Sequence, residues 1–323
     1  MESTLTSCNR TLTFQLTSIA GFGSEINNLL YAGIYALITN RTFIIESTNW
    51  NYGSWNHLFE LPTENCSLNL NYFDMKKETA SFSSKDVNYS HLVTVRMWGG
   101  LYSAISNFPH IYLNVHGHRA VAGNHLKLNS AIKAKVNQYC KEIFRTENPL
   151  DLNFKNENLF GFQIRRGDKI PVEKAYPMID YVEALERLIA TTSNSKTQTI
   201  KKLDKLIVFV ASDDFHFVIP ELQKIRPSWK FLYRKSASNI SGHNQMKFNQ
   251  LQEPERIAHT FELLVDLEIL KSAKFVVCQY SSNFCRLLQA LRKQNPSSIF
   301  GLDKNWFKGS SFDIEAMAGK LNM

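Results

Sequence analysis

An α/β fold of two domains is what this sequence predicts, on three observations. Short apolar runs of strand length alternate with longer stretches of helical periodicity. Strand-like runs of the second half, such as Leu206-Ile207-Val208-Phe209-Val210, are continuously apolar, as expected of parallel strands buried on both faces. The runs also end in charged or hydroxyl-bearing residues, the place where an open α/β sheet holds its ligand. A chain of 323 residues, 44% hydrophobic and 20% charged, can bury a substantial core in two domains. The polar stretch from Asn148-Pro149 to Asn158 reads as the linker, which divides the chain into domains 1–155 and 156–323.

Leu12-Thr13-Phe14-Gln15-Leu16 reads as a first strand, and Arg41-Thr42-Phe43-Ile44-Ile45-Glu46-Ser47 as the next. Between them Gly21-Phe22-Gly23-Ser24-Glu25 opens a helix through Leu37, which completes a βαβ unit. A turn carrying Gly21 and Gly23 either presents backbone N–H groups to an anion or a sugar, or simply starts a helix. Asn49-Trp50-Asn51-Tyr52-Gly53-Ser54-Trp55 follows the second strand; its aromatics either stack on a ligand or pack the loop. Residues 70–95 are polar and rich in Ser and Asn, and read as a long surface excursion. Asn129 to Phe144 has helical periodicity through Ile132, Val136, Tyr139, Cys140 and Ile143.

In the second half, Leu159-Phe160-Gly161-Phe162 is a short buried strand. Pro177 to Ala190 places Met178, Tyr181, Val182, Leu185 and Leu188 on one helical face. The strand Leu206–Val210 ends in Ala211-Ser212-Asp213-Asp214, whose carboxylates either cap the next helix or serve a site. Lys230-Phe231-Leu232-Tyr233 is a further strand, and Arg234 to Pro254 reads as a polar loop over the site. Ile257 to Ser272 is an apolar helix containing Asp266. That carboxylate either is buried, and then needs a partner, or sits on an exposed face. Phe275-Val276-Val277-Cys278 is the next strand; Gln279-Tyr280-Ser281-Ser282-Asn283 turns from it into a helix, a setting that suits phosphate.

The net charge of +8 favours an anionic ligand, and no long Lys/Arg block points to nucleic acid. The most apolar stretch, Leu29 to Ile38, is half the length of a membrane span, and Met1 to Arg10 has no signal pattern. The chain is therefore expected to be either cytosolic or missing an anchor. The five cysteines form no Cys-x-x-Cys pair, and His110, His116, His118 and His125 fit no metal motif, so no metal is expected. Sequons stand at Asn9, Asn40, Asn65, Asn88 and Asn239.

The charge is most concentrated after Phe162, in Gln163-Ile164-Arg165-Arg166-Gly167-Asp168-Lys169 and Glu173. Adjacent guanidiniums can grip a diphosphate through paired hydrogen bonds without a metal, and a nearby carboxylate can act as general base. A solvated surface turn is the plain alternative.

The run Arg165-Arg166-Gly167-Asp168-Lys169, followed by Glu173 and Tyr181, resembles the donor motif of the core α-1,6-fucosyltransferases, Arg-Arg-Thr-Asp-Lys. Gly167 stands where that family has Thr, and Gln163 where it has His. The resemblance extends to Gly21-x-Gly23, Arg41-Thr42-Phe43-Ile44-Ile45-Glu46-Ser47, Trp50-x-Tyr52 and Glu64-Asn65-Cys66, in the family's order. It extends also to Cys278-x-x-Ser281-Ser282-Asn283-x-Cys285-Arg286, where the family has Gln at the position of Asn283.

This resemblance implies a GT-B architecture, two Rossmann-like domains facing across a cleft, with GDP-fucose held mainly by the second. It implies inverting, metal-independent transfer of fucose to the 6-hydroxyl of the innermost GlcNAc of an N-glycan. Glu173 would be the base and Lys169 its orienter or relay, while Arg165 and Arg166 would offset charge on the leaving diphosphate. Ser282 would bind phosphate, Asp266 the guanine, and Tyr52 would lie near that base. Asp168, Tyr181, Asp213 and Asp214 match positions that the family needs for activity. The family's disulfides imply the pairs Cys8–Cys66 and Cys278–Cys285, which leave Cys140 unpaired and place the chain in the secretory pathway, in the Golgi. The family's anchor, stem and C-terminal β-barrel are expected to be absent from this chain. That barrel helps bind acceptor, so a chitin oligosaccharide or a protein hydroxyl stays open as acceptor, as does a non-catalytic nucleotide- or glycan-binding role.

Overall fold

The structure is a computed structural model that describes residues 6–7, 10–17, 19–60, 66–67, 75–78, 91–94, 121–144, 159–168, 175–192, 206–234, 242–292 and 298–303. They fall into two units that divide between Ile132 and Lys133. The stretch 148–158, read as the linker, lies outside the described residues.

In the first unit, β1 (Thr6–Ser7) pairs in parallel with β4 (Cys66–Ser67). The expected βαβ unit is present as β2 (Thr11–Gln15), α1 (Phe22–Ile38) and β3 (Thr42–Glu46), with Thr11 opposite Thr42 and Gln15 opposite Glu46. Ile26, Leu29, Leu30 and Ile34 of α1 are fully buried with Leu12 and Phe14 of β2. The stretch read as a surface excursion contributes two further strands, β5 (Met75–Glu78) and β6 (His91–Thr94), to a parallel sheet of order β3-β2-β6-β5. Four-residue strands are too short to announce themselves by alternation. What holds β6 is burial of Leu92 and Val93 and a contact between His91 Nδ1 and Thr11 Oγ1 at 3.0 Å. A short helix, α2 (Trp55–Leu58), follows the aromatic turn.

The helix α3 (Ser130–Phe144) begins at the division, and its later turns belong to the second unit, where Tyr139 meets Phe261 edge to face at 5.2 Å. The second unit is built on β7 (Leu159–Ile164), α4 (Met178–Thr192), β8 (Ile207–Ser212), α5 (Phe215–Ile225) and β9 (Lys230–Leu232). It continues through α6 (Gln245–Gln250), α7 (Glu253–Ser272), β10 (Val276–Cys278), α8 (Asn283–Leu291) and β11 (Ile299–Gly301). All strands are parallel, in the order β11-β10-β7-β8-β9.

The two faces of β7 follow from its sequence. Phe160, Phe162 and Ile164 point into a core with Tyr181, Val182 and Leu185 of α4 and Val218 and Leu222 of α5. The intervening Gly161 faces Leu270 and Ala273 at the end of α7. The chain runs outward from β7 through β8 and β9, then returns to place β10 on the other side of β7. The strand order therefore reverses between β7 and β10, and ligands of open α/β sheets bind at the carboxyl ends of such a pair.

The segment Arg234 to Pro254, read as a loop, is partly helical. The Asn244 side chain accepts from the Lys247 N–H, and Phe248 is buried, so a capped turn forms where composition suggested none. The next helix likewise starts at Glu253 rather than Ile257, because Gln252 and Glu255 form a capping box with Pro254 in the first turn.

The far end of α7 is held by a buried cation. Arg292, 1% exposed, donates to the carbonyls of Leu270 (2.6 Å), Lys271 (3.4 Å), Ala273 (2.5 Å) and Lys274 (3.0 Å). Two of these carbonyls belong to the last turn of α7, where a helix end runs short of donors, and two to the residues that follow it; a guanidinium can span all four as a single donor fork. Replacing Arg292 by Met should lower the unfolding free energy in urea by about 3 kcal/mol, with Lys recovering only part of it. A change within about 1 kcal/mol would show that water satisfies these carbonyls instead.

Candidate functional site

The carboxyl end of β7 runs straight into Arg165 and Arg166, so the sheet itself fixes where these cations stand. Asp213, the first residue after β8, reaches across to them. Its carboxylate accepts from the backbone N–H of Arg166 at 2.8 Å, of Gly167 at 3.1 Å and of His243 at 3.2 Å. The Arg165 Nη1 is 3.4 Å from the same carboxylate, and Arg165 Nη2 donates to Asp168 Oδ1 at 2.6 Å. Arg165 is thus held by two carboxylates. Arg166 is held differently, its guanidinium carbon lying 4.3 Å from the centroid of the Phe217 ring. The adjacent Asp214 stands at the N-cap position of α5 without a side-chain capping bond, and its N–H donates to Ser212 Oγ at 3.0 Å. The paired aspartates, read as caps or site residues, therefore divide: Asp213 serves the arginine turn.

The segment Gly242–Gln245 lies against this turn. The Asp168 N–H donates to the His243 carbonyl at 3.0 Å, and the Gln245 N–H to Asp168 Oδ2 at 3.1 Å. The Gly242 N–H donates to the Asp213 carbonyl at 2.6 Å. The approach explains Gly167. A Cβ there would sit 2.4 Å from the His243 carbonyl oxygen and 2.6 Å from its nitrogen, while Gly242, at φ +80°, has its own Cβ direction aimed at Gly167 Cα. Burial opposes the charge on Asp168, but Arg165 and the Gln245 N–H outweigh it and hold the carboxyl below the usual range. Burial, and then Arg165, push His243 below its ordinary value, so it is neutral at pH 7.

On the other side of β7, β10 ends in the turn Gln279–Ser282. Asp303 accepts from the N–H of Tyr280 at 2.6 Å and of Ser281 at 2.8 Å. Tyr181, 1% exposed, donates its hydroxyl to Gln279 Oε1 at 2.9 Å; burial above all, and then Asp303, raise its pKa, so it stays a neutral brace. Ser282 is buried at the N-cap of α8, and Asn283 holds Arg286 through its Oδ1. The disulfide Cys278–Cys285 ties β10 to α8 beneath this turn, as the resemblance implied. The other implied pair cannot be described, since Cys8 lies outside the described residues, as do Lys169 and Glu173. Cys140 is free and buried; burial, with Glu268 and Asp266 nearby, pushes its thiol up to about 12.

Asp266 is buried rather than on an exposed face, and its partner is Arg234 at the end of β9. Arg234 Nε and Nη2 donate to its two oxygens at 3.3 and 3.2 Å, and Arg234 Nη1 lies 2.9 Å from Glu262. The remaining candidates cluster in the first unit. Gly21 caps α1, its carbonyl accepting from the N–H of Ser24 and Glu25, and Gly23 is buried in the first turn. Tyr52 is buried with its ring edge-on to Phe22 at 5.3 Å and its hydroxyl 3.4 Å from the Ala20 carbonyl, so it packs this turn.

Sequence reasoning missed Asp303, Arg234, Phe217 and the Gly242–His243 backbone. Each acts from 20 or more positions away in sequence, and none lies in a recognisable motif. Gln163 carries a subtler signal: it is buried at the end of β7, and its Oε1 has no hydrogen-bond partner among the described residues. Among those residues no group of His, Cys, Asp or Glu could hold a metal ion, and no helix is long and apolar enough to cross a membrane.

Together the two turns put a pair of guanidiniums, a serine hydroxyl and a helix N-terminus at the carboxyl end of one sheet, an assembly suited to a diphosphate. The close contact at Gly167 gives a test. Gly167→Thr, and to a lesser degree Gly167→Ala, should displace Gly242–His243 and release the Asp168 and Asp213 contacts, seen as faster amide hydrogen exchange over 242–245. Unchanged exchange in Gly167→Thr would show that the turn does not depend on this fit.

A family model described as alpha-(1,6)-fucosyltransferase N- and catalytic domains matches residues 5–298. The alpha-(1,6)-fucosyltransferase of Caenorhabditis elegans is 23% identical over 324 residues, covering 93% of this chain and 53% of that protein. That of Drosophila melanogaster is 23% identical over 296 residues, covering 86% of this chain and 43% of its own length. The chain thus spans about half the length of these curated relatives. Among solved structures, the NodZ α-1,6-fucosyltransferase soaked with GDP-fucose aligns with a TM-score of 0.53 at 14% identity, over 91% of this chain and 95% of that one. NodZ from Bradyrhizobium aligns with a TM-score of 0.51 at 13% identity, over 91% and 96% of the two chains. These likenesses show the fold, which is α/β with parallel sheets and of the GT-B class. With a family match that runs over most of its length, this chain belongs to the alpha-(1,6)-fucosyltransferase family.

Proposed function

We propose that this chain is an inverting, metal-independent α-1,6-fucosyltransferase that moves fucose from GDP-fucose to the 6-hydroxyl of the innermost GlcNAc of an N-glycan. The observation that carries the reading is the placement of Arg165 and Arg166 at the strand reversal, beside the Ser281–Ser282 turn. The family match and the GDP-fucose soaked into NodZ support the choice of donor. The two domains, 1–155 and 156–323, divide the work, the first facing acceptor and the second holding donor.

In the reaction the acceptor oxygen attacks the anomeric carbon of fucose on the face opposite the diphosphate. The bond from that carbon to the phosphate oxygen breaks, and GDP leaves with the electron pair. Glu173 takes the acceptor's proton, with Lys169 orienting it or relaying that proton. Arg165 and Arg166 donate to the leaving diphosphate, where a preorganised donor is worth about 3–4 kcal/mol of barrier. Ser282 and Asn283 bind on the phosphate side, and Asp266 takes the guanine edge, which requires it to share or release Arg234. Asp168, Asp213 and Tyr181 hold these groups in place, and Asp214 contributes to the site's architecture as the N-cap residue of α5. The Cys278–Cys285 disulfide and the family support a secretory compartment, the Golgi.

Incubation with GDP-fucose, EDTA and a panel of N-glycans, chitin oligosaccharides and peptides, read by mass spectrometry, tests the reading. A fucose-sized mass gain on the innermost GlcNAc is expected, and Glu173→Gln should reduce its rate by about 10²- to 10⁴-fold. Gain on a different acceptor would keep the donor chemistry and overturn the N-glycan assignment. Loss of transfer in EDTA, restored by a divalent cation, would overturn the metal-independent mechanism.

A further inference from the structure

We infer that Phe217 is a positioning residue for Arg166, its ring fixing the guanidinium while leaving the N–H groups free for the donor's diphosphate. The inference rests on the reading that the arginine turn takes GDP-fucose.

Arg165 and Arg166 are adjacent, yet their partners differ in kind. Arg165 faces Asp168 and Asp213, which occupy part of its hydrogen-bonding edge and offset its charge. Among the described residues no carboxylate pairs with the Arg166 guanidinium, and its buried Nε has no hydrogen-bond partner. Instead the guanidinium stands over the Phe217 ring at 4.3 Å, within the range of a cation–π contact. A ring holds a guanidinium by its face, so the in-plane N–H donors stay available, and no carboxylate among the described residues offsets the charge. Arg166 is therefore the better prepared of the two to meet an anion.

Packing does not explain Phe217. Its neighbours Val218 and Ile219 are buried in the core and Phe215 stacks on Tyr233 at 5.4 Å, whereas Phe217 is 44% exposed. What fixes it is its place in the first turn of α5. Asp213 grips the backbone of Arg166 at 2.8 Å, and Phe217, four residues later, meets that residue's side chain. The end of β8 thereby sets both the position of Arg166 and the direction of its guanidinium.

The test is GDP affinity by calorimetry at fixed salt, for wild type and for Phe217→Ala, Phe217→Leu and Phe217→Trp, each matched to wild type in thermal unfolding. Ala and Leu should both weaken binding by about two- to fivefold, and Trp should restore it, because Leu keeps the bulk but not the π face. In transfer assays Ala and Leu should raise the KM for GDP-fucose and leave that for acceptor unchanged. Wild-type affinity in Phe217→Leu would reduce Phe217 to surface packing and overturn the inference. Failure of the wild-type chain to bind GDP would overturn the donor reading itself, and this inference with it.

Discussion

A single carboxylate holds the working end of the second unit together. Asp213 accepts from the backbone of Arg166, Gly167 and His243 and lies against the Arg165 guanidinium. A carboxylate has two oxygens and roughly four lone-pair sites, so it can serve all of these donors at once. The effect is to join three pieces of chain distant in sequence: the end of β7, the end of β8 and the segment before α6. None of the three could hold its conformation alone, since each would leave amide donors unsatisfied in a half-buried setting.

From that junction the rest follows in layers. The parallel sheet delivers the arginine turn and the serine turn to neighbouring strand ends, because the chain reverses its direction of growth between β7 and β10. Asp303 does for the serine turn what Asp213 does for the arginine turn, accepting two consecutive backbone N–H groups. Tyr181 braces that turn from the core, and the Cys278–Cys285 disulfide fixes it to the helix behind. The cations therefore stand on a rigid base of satisfied hydrogen bonds, as electrostatic preorganisation requires.

Much of this was legible in the sequence, and the reason is local. The strands β7, β8 and β10 are continuous apolar runs ended by charge or hydroxyl, so both their existence and the location of the site could be read from neighbours within a few residues. Asp213 stood out because it follows such a run directly. What was not legible was relational. Asp303, Phe217 and Arg234 look like ordinary surface residues, and only the fold brings them to their partners. The helix α6 was hidden by its polar composition, and β5 and β6 by their length. Gly167 was visible as a departure from the family's Thr, but its cause, the backbone of His243 lying 2.4 Å from a would-be Cβ, required the structure.

The most direct measurement is the GDP affinity of Asp213→Asn beside that of wild type, with folding checked by thermal unfolding. Asparagine has the same shape but offers one acceptor oxygen, and it turns an NH₂ toward groups that are themselves donors. If Asp213 holds the site as described, GDP binding falls by about tenfold or more in a chain that remains folded. Equal affinity in Asp213→Asn would mean that the arginine turn keeps its form without the carboxylate, which would contradict its central role.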